Sequence, residues 1–206
     1  MKKVIFFSGP HGSGKTTLIR ALTELENNNS HIHAVFKENQ FDINFLSEFP
    51  SIRVMNDFER CLLRFYHRAF VANYVTNAVS TLQDNICTLV SRSIYDSYAY
   101  IAVYQELHKF TEIQYRTLEK VLNSNQIKPC TVILNPPIDV IMQRLKKRHD
   151  LHERDDRQEV FSQEDSCEFV TLLHGAFEQM KDYENVLYLQ NNEIEDINKI
   201  VEWISK

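Results

Sequence analysis

The segment from Gly9 to Thr16 reads GPHGSGKT and matches the pattern G-x-x-x-x-G-K-[ST] of a phosphate-binding loop. The apolar run from Val4 to Phe7 precedes it, and apolar residues at helical spacing follow it as far as Leu25. Between a strand and a helix, such a loop surrounds a phosphate chain with backbone N–H groups and the positive end of the helix. The pattern therefore predicts that the chain binds a nucleoside triphosphate.

Each residue of this loop has an expected part in holding ATP and its Mg²⁺. Lys15 would reach the β- and γ-phosphates, and the Thr16 hydroxyl would ligate the metal ion. The third loop residue, His11, is expected to contribute only its backbone N–H. The predicted ATP-binding residues are Gly9, Pro10, His11, Gly12, Ser13, Gly14, Lys15, Thr16 and Thr17.

Glycine is rare in this chain, and its placement supports the same interpretation. A chain of 206 residues with the usual glycine content would have about 14 glycines, whereas this one has four. Three of the four lie in the loop, where the backbone must adopt conformations that side chains disfavour.

Strand-like and helix-like segments alternate along the rest of the chain, which predicts crossover connections between parallel strands. We therefore expect an α/β fold of the P-loop NTPase type, a five-stranded parallel sheet with helices on both faces. The sequence shows no linker, repeat or low-complexity stretch, which predicts a single domain over residues 1–206. Strands are predicted at 4–7, 31–37, 86–90, 130–134 and 186–189, and helices at 57–80, 95–108, 112–122, 138–147, 163–183 and 194–204.

Composition narrows the range of partners. The net charge of −5 argues against binding to a nucleic acid polymer or an anionic lipid surface. No apolar run approaches the roughly 20 residues that span a bilayer, so we expect no membrane partner. The four cysteines lack CxxC spacing, which is typical of reduced thiols and predicts a cytoplasmic protein rather than a disulfide framework or a zinc site.

Other classes of nucleotide-binding protein lack their motifs here. A GTPase switch protein needs N-K-x-D, but Val201 stands where Asn198-Lys199 would require the aspartate. It also needs D-x-x-G, but Leu172 stands three residues before Gly175. The chain length leaves little room for the accessory helical domains of motor-type ATPases. A small phosphotransferase is the class that remains.

The chain as a whole resembles the thymidylate kinase and deoxynucleoside kinase group of P-loop kinases. The loop resembles the thymidylate kinase form, and Lys37-Glu38 resembles that family's Arg-Glu-Pro element. Residues 91–96, SRSIYD, are similar to the D/E-R-S element of deoxynucleoside kinases and the D-R-Y/H element of thymidylate kinases. Residues 144–159 resemble the arginine-bearing lid, and 65–68 resemble the Phe-Tyr-x-x-Arg stretch that lines the acceptor site of thymidylate kinases.

The resemblance implies catalytic roles for charged residues in addition to Lys15. Arg92 would hold the acceptor's phosphate or a phosphate of ATP. Glu38 would be the general base for a nucleoside acceptor, or would orient the sugar or a magnesium-bound water for a monophosphate acceptor. A mobile lid at about 148–160 would bring its arginines over the phosphates and exclude water.

The lid arginines are Arg148, Arg154 and Arg157, and the acids around them equally fit a salt-bridged surface loop. In the acceptor site, Tyr66 would stack on a base or fill the core. Arg68 would contact the acceptor, although it falls one position early, a rotation of about 100° around a helix. The resemblance further implies a homodimer formed through the long helices.

Two positions depart from the family pattern. Ser91 stands where both families carry an acid that helps to hold Mg²⁺. Asn135 follows the fourth strand, where thymidylate kinases often carry aspartate. Without this acid, Thr16, the phosphates and water are the evident ligands of the metal ion, and Glu38 and Asp96 are the candidate substitutes for the missing carboxylate.

Three functions therefore stay open. The first, which we expect, is ATP-dependent phosphorylation of a deoxynucleoside monophosphate such as dTMP, favoured by the loop and by the D-R-x-E-like element at 156–159. The second is a deoxynucleoside kinase acting on a 5′-hydroxyl, favoured by residues 92–96 and by Glu38 as a base. The third is a nucleotide-binding protein with little or no kinase activity, favoured by Ser91 and Asn135.

Overall fold

Short, mainly apolar segments form one parallel sheet in the computed structural model, which describes residues 2–25, 35–38, 45–79, 86–153, 155–190 and 194–205. The strands are β1 (Val4–Ser8), β2 (Val35–Glu38), β3 (Ile86–Ser91), β4 (Thr131–Leu134) and β5 (Val186–Leu189). Their order is β2-β3-β1-β4-β5, which places β1 at the centre between β3 and β4. The predicted α/β fold with a five-stranded parallel sheet is confirmed.

Helices form the crossovers, because parallel neighbours cannot be joined by a tight turn. Among the described helices, none combines the length and the apolar character that crossing a bilayer requires. The helices are α1 (Lys15–Glu24), α2 (Phe45–Glu48), α3 (Asp57–Val79), α4 (Ile94–Glu106), α5 (Glu112–Ser124), α6 (Ile138–Asp150), α7 (Asp155–Phe161), α8 (Cys167–Glu178) and α9 (Ile194–Ser205), with 3₁₀ turns at Pro50–Arg53 and Ser162–Asp165.

The predicted boundaries hold within a few residues except at one helix. The prediction of a helix over 163–183 is wrong, because α8 begins only at Cys167. Ser166 caps this helix, and its Oγ accepts a hydrogen bond from the Phe169 N–H at 3.1 Å. The second strand is described from Val35 onward, and the predicted residues 31–34 lie outside the described part of the chain.

The core lies on both faces of the sheet, as predicted. Alternate residues of a strand point to opposite faces. On one face, Phe7 of β1 is buried in a cluster with Leu22 of α1 and Ile200 of α9. On the other face, Phe6 is buried in a cluster with Val75 of α3. The sheet is therefore fixed from both sides, and its carboxyl ends form a rigid edge.

Gly9 lies where the chain leaves β1 and passes very close to β4. Its φ is 137°, in the region that side chains disfavour. A Cβ atom built at this position would lie 2.1 Å from the carbonyl oxygen of Leu134. The sheet itself therefore requires glycine here, in addition to any requirement of a bound phosphate.

We predict that Gly9→Ala lowers the free energy of unfolding by about 2 kcal/mol or more, because the new methyl group meets backbone at a strained φ. Gly175→Ala is the matched control. Gly175 lies within α8, and a Cβ added there would have no atom within 4 Å, so its replacement should raise stability by about 0.5–1 kcal/mol. Urea unfolding of the two variants measures both effects, and equal changes would contradict the argument.

Candidate active site

The phosphate-binding loop and Arg92 meet at the carboxyl ends of β1 and β3, two neighbouring strands. The loop continues β1, and Arg92 is the first residue after β3. The Arg92 N–H donates to the Phe7 carbonyl of β1 at 2.9 Å. Ligands of open parallel sheets bind in the crevice outside the carboxyl ends of the strands. The topology thus brings two segments that are distant in sequence to the expected ligand site.

Lys15 is buried, and its ammonium group lies over the loop. Its Nζ donates to the carbonyl oxygens of Gly9 at 2.8 Å and Pro10 at 2.7 Å. A third contact of 3.1 Å joins Nζ to Ser13 Oγ. These oxygens are neutral, so an anionic phosphate oxygen would attract the ammonium group more strongly than they do.

The first turn of α1 offers further groups to a phosphate chain. Its N-cap is Gly14 (φ 103°), which has no side chain to satisfy the first N–H groups of the helix. Thr16 and Thr17 in the same turn are exposed. Among the described residues, no group of three His, Cys, Asp or Glu side chains could hold a metal ion. The donor set therefore fits a Mg²⁺ held by Thr16 together with phosphates and water, which is the usual coordination of this ion beside a nucleotide.

Arg92 has a strained backbone conformation, and its side chain pairs with a buried carboxylate. Its φ is 69°, in the left-handed region. Its Nη1 donates to Asp96 Oδ1 at 2.7 Å and to the Gly9 carbonyl at 3.2 Å. The other oxygen of Asp96 accepts from Ser8 Oγ at 2.7 Å and from the Ser93 N–H at 2.9 Å. Both oxygens of Asp96 thus have protein donors, and this carboxylate orients the arginine.

Asp96 is ionised in this environment although it is fully buried. Burial alone would raise the pKa of its carboxyl, but the charges of Arg92, Arg68 and Lys15 and the hydrogen bond from Ser8 lower the pKa below its usual value. A carboxylate at this position stabilises several cations at once.

The expectation that His11 contributes only its backbone is wrong, because its side chain is packed inside the site. Its Nδ1 lies 3.0 Å from Arg92 Nη2, and its Nε2 lies 3.4 Å from Glu164 Oε2. The ring meets Tyr100 edge to face, with centroids 5.7 Å apart. The imidazole therefore links the arginine after β3 to an acid from the other end of the chain.

Glu164, in the 3₁₀ turn before α8, collects side chains from three helices. It is 1% exposed. It accepts hydrogen bonds from Arg64 of α3 at 2.7 Å, from the Tyr104 hydroxyl of α4 at 2.9 Å and from Arg157 of α7 at 3.1 Å. Burial alone would raise the pKa of this carboxyl, but Arg64 and the other donors hold it well below its usual range. Sequence reasoning missed this residue, because nothing in an acidic segment marks one acid as buried.

The predicted lid arginines have different surroundings. Arg157 is buried, and besides Glu164 its Nη2 donates to Asp165 Oδ1 at 3.1 Å. Arg148 is partly buried in the last turns of α6. Arg154 lies outside the described residues. Within the predicted lid, α6 ends at Asp150 before that position and α7 begins at Asp155 after it. Arg157 joins α7 to the 3₁₀ turn before α8 through Glu164 and Asp165.

Arg144 contacts the loop directly, although it was not among the predicted site residues. Its Nη1 donates to the carbonyl oxygens of Gly12 at 3.1 Å and Ser13 at 2.9 Å. Arg148 follows it by four residues in α6, so both arginines lie on the same face of the helix. That spacing is the sequence signal that could have identified Arg144.

The predicted acceptor residues of α3 lie on different faces of the helix. Arg68 points into the site, where its Nη1 donates to Ser97 Oγ at 2.8 Å. Burial lowers the pKa of this guanidinium to about 10. The charge of Asp96 raises the pKa, whereas the charges of Arg92 and Arg64 lower it further. Tyr66 is 56% exposed. It precedes Arg68 by two residues, which is a rotation of about 200° around the helix, so the two side chains point in different directions. The structure therefore brings Arg68, and not Tyr66, to Arg92 and Asp96.

Glu38 and Asn135, two further residues singled out in the sequence, lie at the carboxyl ends of β2 and β4. Glu38 is the last residue of β2 and pairs in register with Leu89 of β3, but its side chain lies outside the described part. Asn135 donates through Nδ2 to the His174 carbonyl at 2.9 Å and to the Tyr188 hydroxyl at 2.8 Å. Asn135 thus joins β4 to β5 and α8 beside the loop.

A protein-family model described as an AAA domain, AAA_28, matches residues 4–179. The chain belongs to this AAA domain family. A search of curated protein sequences found no match. The family's P-loop character agrees with the loop at the end of β1.

Solved structures with a similar fold include deoxyadenosine kinase from M. mycoides in several complexes. With bound dATP, the identity is 13% and the TM-score 0.67, covering 98% of this AAA domain chain and 100% of that chain. With the products dCMP and a flexible dCDP bound, the values are 15% and 0.64, covering 98% and 96%. With bound dCTP, they are 13% and 0.60, covering 97% and 96%. The resemblance to the P-loop deoxynucleoside and nucleotide kinase group is thereby confirmed at the level of the fold.

Tyr100 and Tyr104 allow a matched test of the hydrogen bonds that the buried Glu164 accepts. Both rings pack against Phe169, but the Tyr100 hydroxyl has no hydrogen-bond partner among the described residues, whereas the Tyr104 hydroxyl donates to Glu164. We predict that Tyr104→Phe lowers the free energy of unfolding by about 1.5–3 kcal/mol, because a hydrogen bond to a charged group is lost. Tyr100→Phe should leave stability unchanged or raise it. Urea unfolding measures both, and the reverse order would contradict the hydrogen-bond assignment.

Proposed function

We propose that this protein transfers the γ-phosphoryl group of ATP to a deoxynucleoside monophosphate such as dTMP, giving dTDP and ADP. The observation that carries the proposal is the setting of Arg68. This partly buried guanidinium donates to the neutral Ser97 hydroxyl. The Asp96 carboxylate favours its charge, but Asp96 is shared with Arg92 and Lys15, and Arg92 and Arg64 disfavour that charge. A buried cation is stabilised by an anionic partner, and the phosphate of a monophosphate acceptor supplies one.

The loop residues have the roles that phosphoryl transfer requires. Lys15 would move from the loop carbonyls to the β- and γ-phosphates, and the N–H groups of the loop and of α1 would bind phosphate oxygens. Thr16 would hold the Mg²⁺ that accompanies ATP, and this ion supplies charge neutralisation at the β- and γ-phosphates. Arg92, oriented by Asp96, would hold the acceptor's phosphate in line with the γ-phosphate.

The lid arginines would complete the charge around the transferred group. Arg148 lies on the face of α6 from which Arg144 reaches the loop, which supports a phosphate contact for Arg148. Arg157 is bound to Glu164 and Asp165, so we propose that it fixes the segment rather than touching the phosphates. Arg154 remains a predicted lid arginine.

A deoxynucleoside kinase is the alternative, and the likeness of fold to deoxyadenosine kinase from M. mycoides favours it. In this case Glu38, at the carboxyl end of β2, would take the proton of the 5′-hydroxyl group. Arg68 and Arg92 would then contact the nucleoside or the transferred phosphate.

A nucleotide-binding protein with little or no kinase activity is the third candidate. Ser91 ends β3 where the related kinases carry an acid. Asp96, the nearby buried carboxylate, uses both oxygens for Arg92, Ser8 and Ser93. Magnesium would then depend on Thr16, the phosphates and water.

The product assay that tests these functions incubates the protein with Mg²⁺, ATP and a mixture of nucleosides and monophosphates, followed by chromatography. We expect a new diphosphate. Arg68→Gln should raise the KM for the monophosphate about 10–100-fold with little change for ATP, because a charged contact is lost. Lys15→Ala should lower the rate on the order of 10²–10³-fold, and the exposed Arg116→Gln should change neither.

The other outcomes of this assay separate the alternatives. A new monophosphate would assign the chain as a nucleoside kinase with Glu38 as the base. ATP binding without any new product would favour the third candidate. An Arg68→Gln variant with a normal KM for the monophosphate would contradict the role given to Arg68.

We also propose that the protein is a homodimer through α3. Tyr66, Phe70 and Tyr74 follow one another at intervals of four residues and are 56%, 55% and 48% exposed. Large apolar side chains exposed along one helix face are typical of interfaces.

Light scattering after gel filtration tests the dimer. We predict a mass of two chains for the wild type and of one chain for Phe70→Glu, because a buried charge would disrupt an apolar interface. Ile113→Glu is the control, since Ile113 is 78% exposed on α5 and should leave the mass unchanged. A monomeric wild type would contradict the proposal.

A further inference from the structure

We propose that His11 is a positioning residue for Arg92: a neutral imidazole that accepts a hydrogen bond from the arginine and donates one towards Glu164. The phosphate loop and the turn before α8 would thereby fix the plane of the guanidinium together. The kinetic consequences rest on the proposed function, whereas the hydrogen-bonding state of the ring does not.

The partners of the ring define its tautomer. A guanidinium can only donate, so Nδ1, which lies 3.0 Å from Arg92 Nη2, must be the unprotonated nitrogen. A carboxylate can only accept, so Nε2, which lies 3.4 Å from Glu164 Oε2, must carry the hydrogen. The neutral ring with hydrogen on Nε2 is the one form that satisfies both neighbours.

The charges around His11 favour the neutral form. Arg92 after β3, Arg157 of α7, Glu164 of the 3₁₀ turn and Tyr100 of α4 face the ring. Burial lowers the pKa of His11, and the charges of Arg157 and Arg92 lower it further. Glu164 acts in the opposite direction, but the pKa stays well below the usual value of histidine. The ring is therefore neutral at neutral pH.

Arg92 has a strained backbone, and two separate anchors hold its guanidinium group in one orientation. Nη1 is bound by Asp96 and by the Gly9 carbonyl, and Nη2 faces His11. Contacts on both terminal nitrogens define the plane of the group, which is the property that bidentate phosphate binding requires. An arginine that is already ordered loses less side-chain entropy when its ligand binds. The imidazole in the loop thus prepares Arg92 for a phosphate oxygen.

The state of the ring can be measured by ¹⁵N–¹H correlation spectroscopy of the histidine side chains in the nucleotide-free protein at neutral pH. The His11 signals are identified by their absence in His11→Asn. We expect an unprotonated, hydrogen-bonded Nδ1 and a protonated Nε2, and we expect the Nδ1 resonance to shift in Arg92→Leu. A ring with hydrogen on Nδ1, a charged ring, or an Nδ1 resonance that is insensitive to Arg92→Leu would overturn the proposal.

A pair of variants tests the functional consequence. His11→Asn has an acceptor oxygen at the same bond separation from Cβ as Nδ1, whereas His11→Leu has similar size and no acceptor. We expect His11→Leu to lower kcat/KM for the acceptor about 10–100-fold with ATP affinity changed less than about twofold. His11→Asn should restore most of the loss. Equal losses in the two variants, or an equal loss of ATP affinity, would overturn the positioning role.

Failure of the proposed function would give a different result from failure of this inference. If the wild type phosphorylates no acceptor, the proposed function fails, and the spectroscopic measurement alone decides the His11 assignment. If the wild type is active and the spectra show the other tautomer, only the inference about His11 fails.

Discussion

The ion pair between Arg92 and Asp96 is the interaction around which the site is built. Asp96 is the third residue of α4, and its carboxylate also forms the capping box of that helix with Ser93. The same group accepts a hydrogen bond from Ser8 at the end of β1. One buried carboxylate therefore starts a helix, joins two strands and orients the arginine. Asp96 is fully buried and Arg92 is partly buried. Removal of Arg92 would leave the buried carboxylate without its main counter-charge, so fold and site depend on the same contact.

Glu164 has the corresponding role on the side of the predicted lid. It gathers Arg64 and Arg157, and Phe161 packs between these arginines with guanidinium-to-ring distances of 4.5 and 5.5 Å. Through His11 the same carboxylate reaches the phosphate loop. Two acids thus hold the arginines of the site in defined places. An arrangement of this kind favours an anionic ligand, because the buried cations already have fixed directions before the ligand binds.

Much of the fold could be predicted from local patterns. The loop G-x-x-x-x-G-K-T and the apolar strand runs each lie within a short stretch of chain, and each was found in the structure. The family model and the likeness to deoxyadenosine kinase structures agree with this prediction of the fold. The wrong start predicted for α8 also has a local cause. The helix was predicted from residue 163, but the Ser166 side chain caps the helix and makes it begin at Cys167.

The sequence by itself determined the P-loop, the parallel sheet and the position of Arg92 after a strand, because short-range spacing and turn chemistry decide these features. Only the tertiary structure decided which side chains distant in sequence meet the two buried acids. Asp96 pairs with Ser8 across 88 residues, and Glu164 pairs with Arg64 across 100. The energy of a charged group depends on its burial and on partners from other helices and strands. Neither can be predicted from the residues next to it in the sequence. For that reason His11 was predicted as a backbone donor, and its side chain proved to be the link between Arg92 and Glu164.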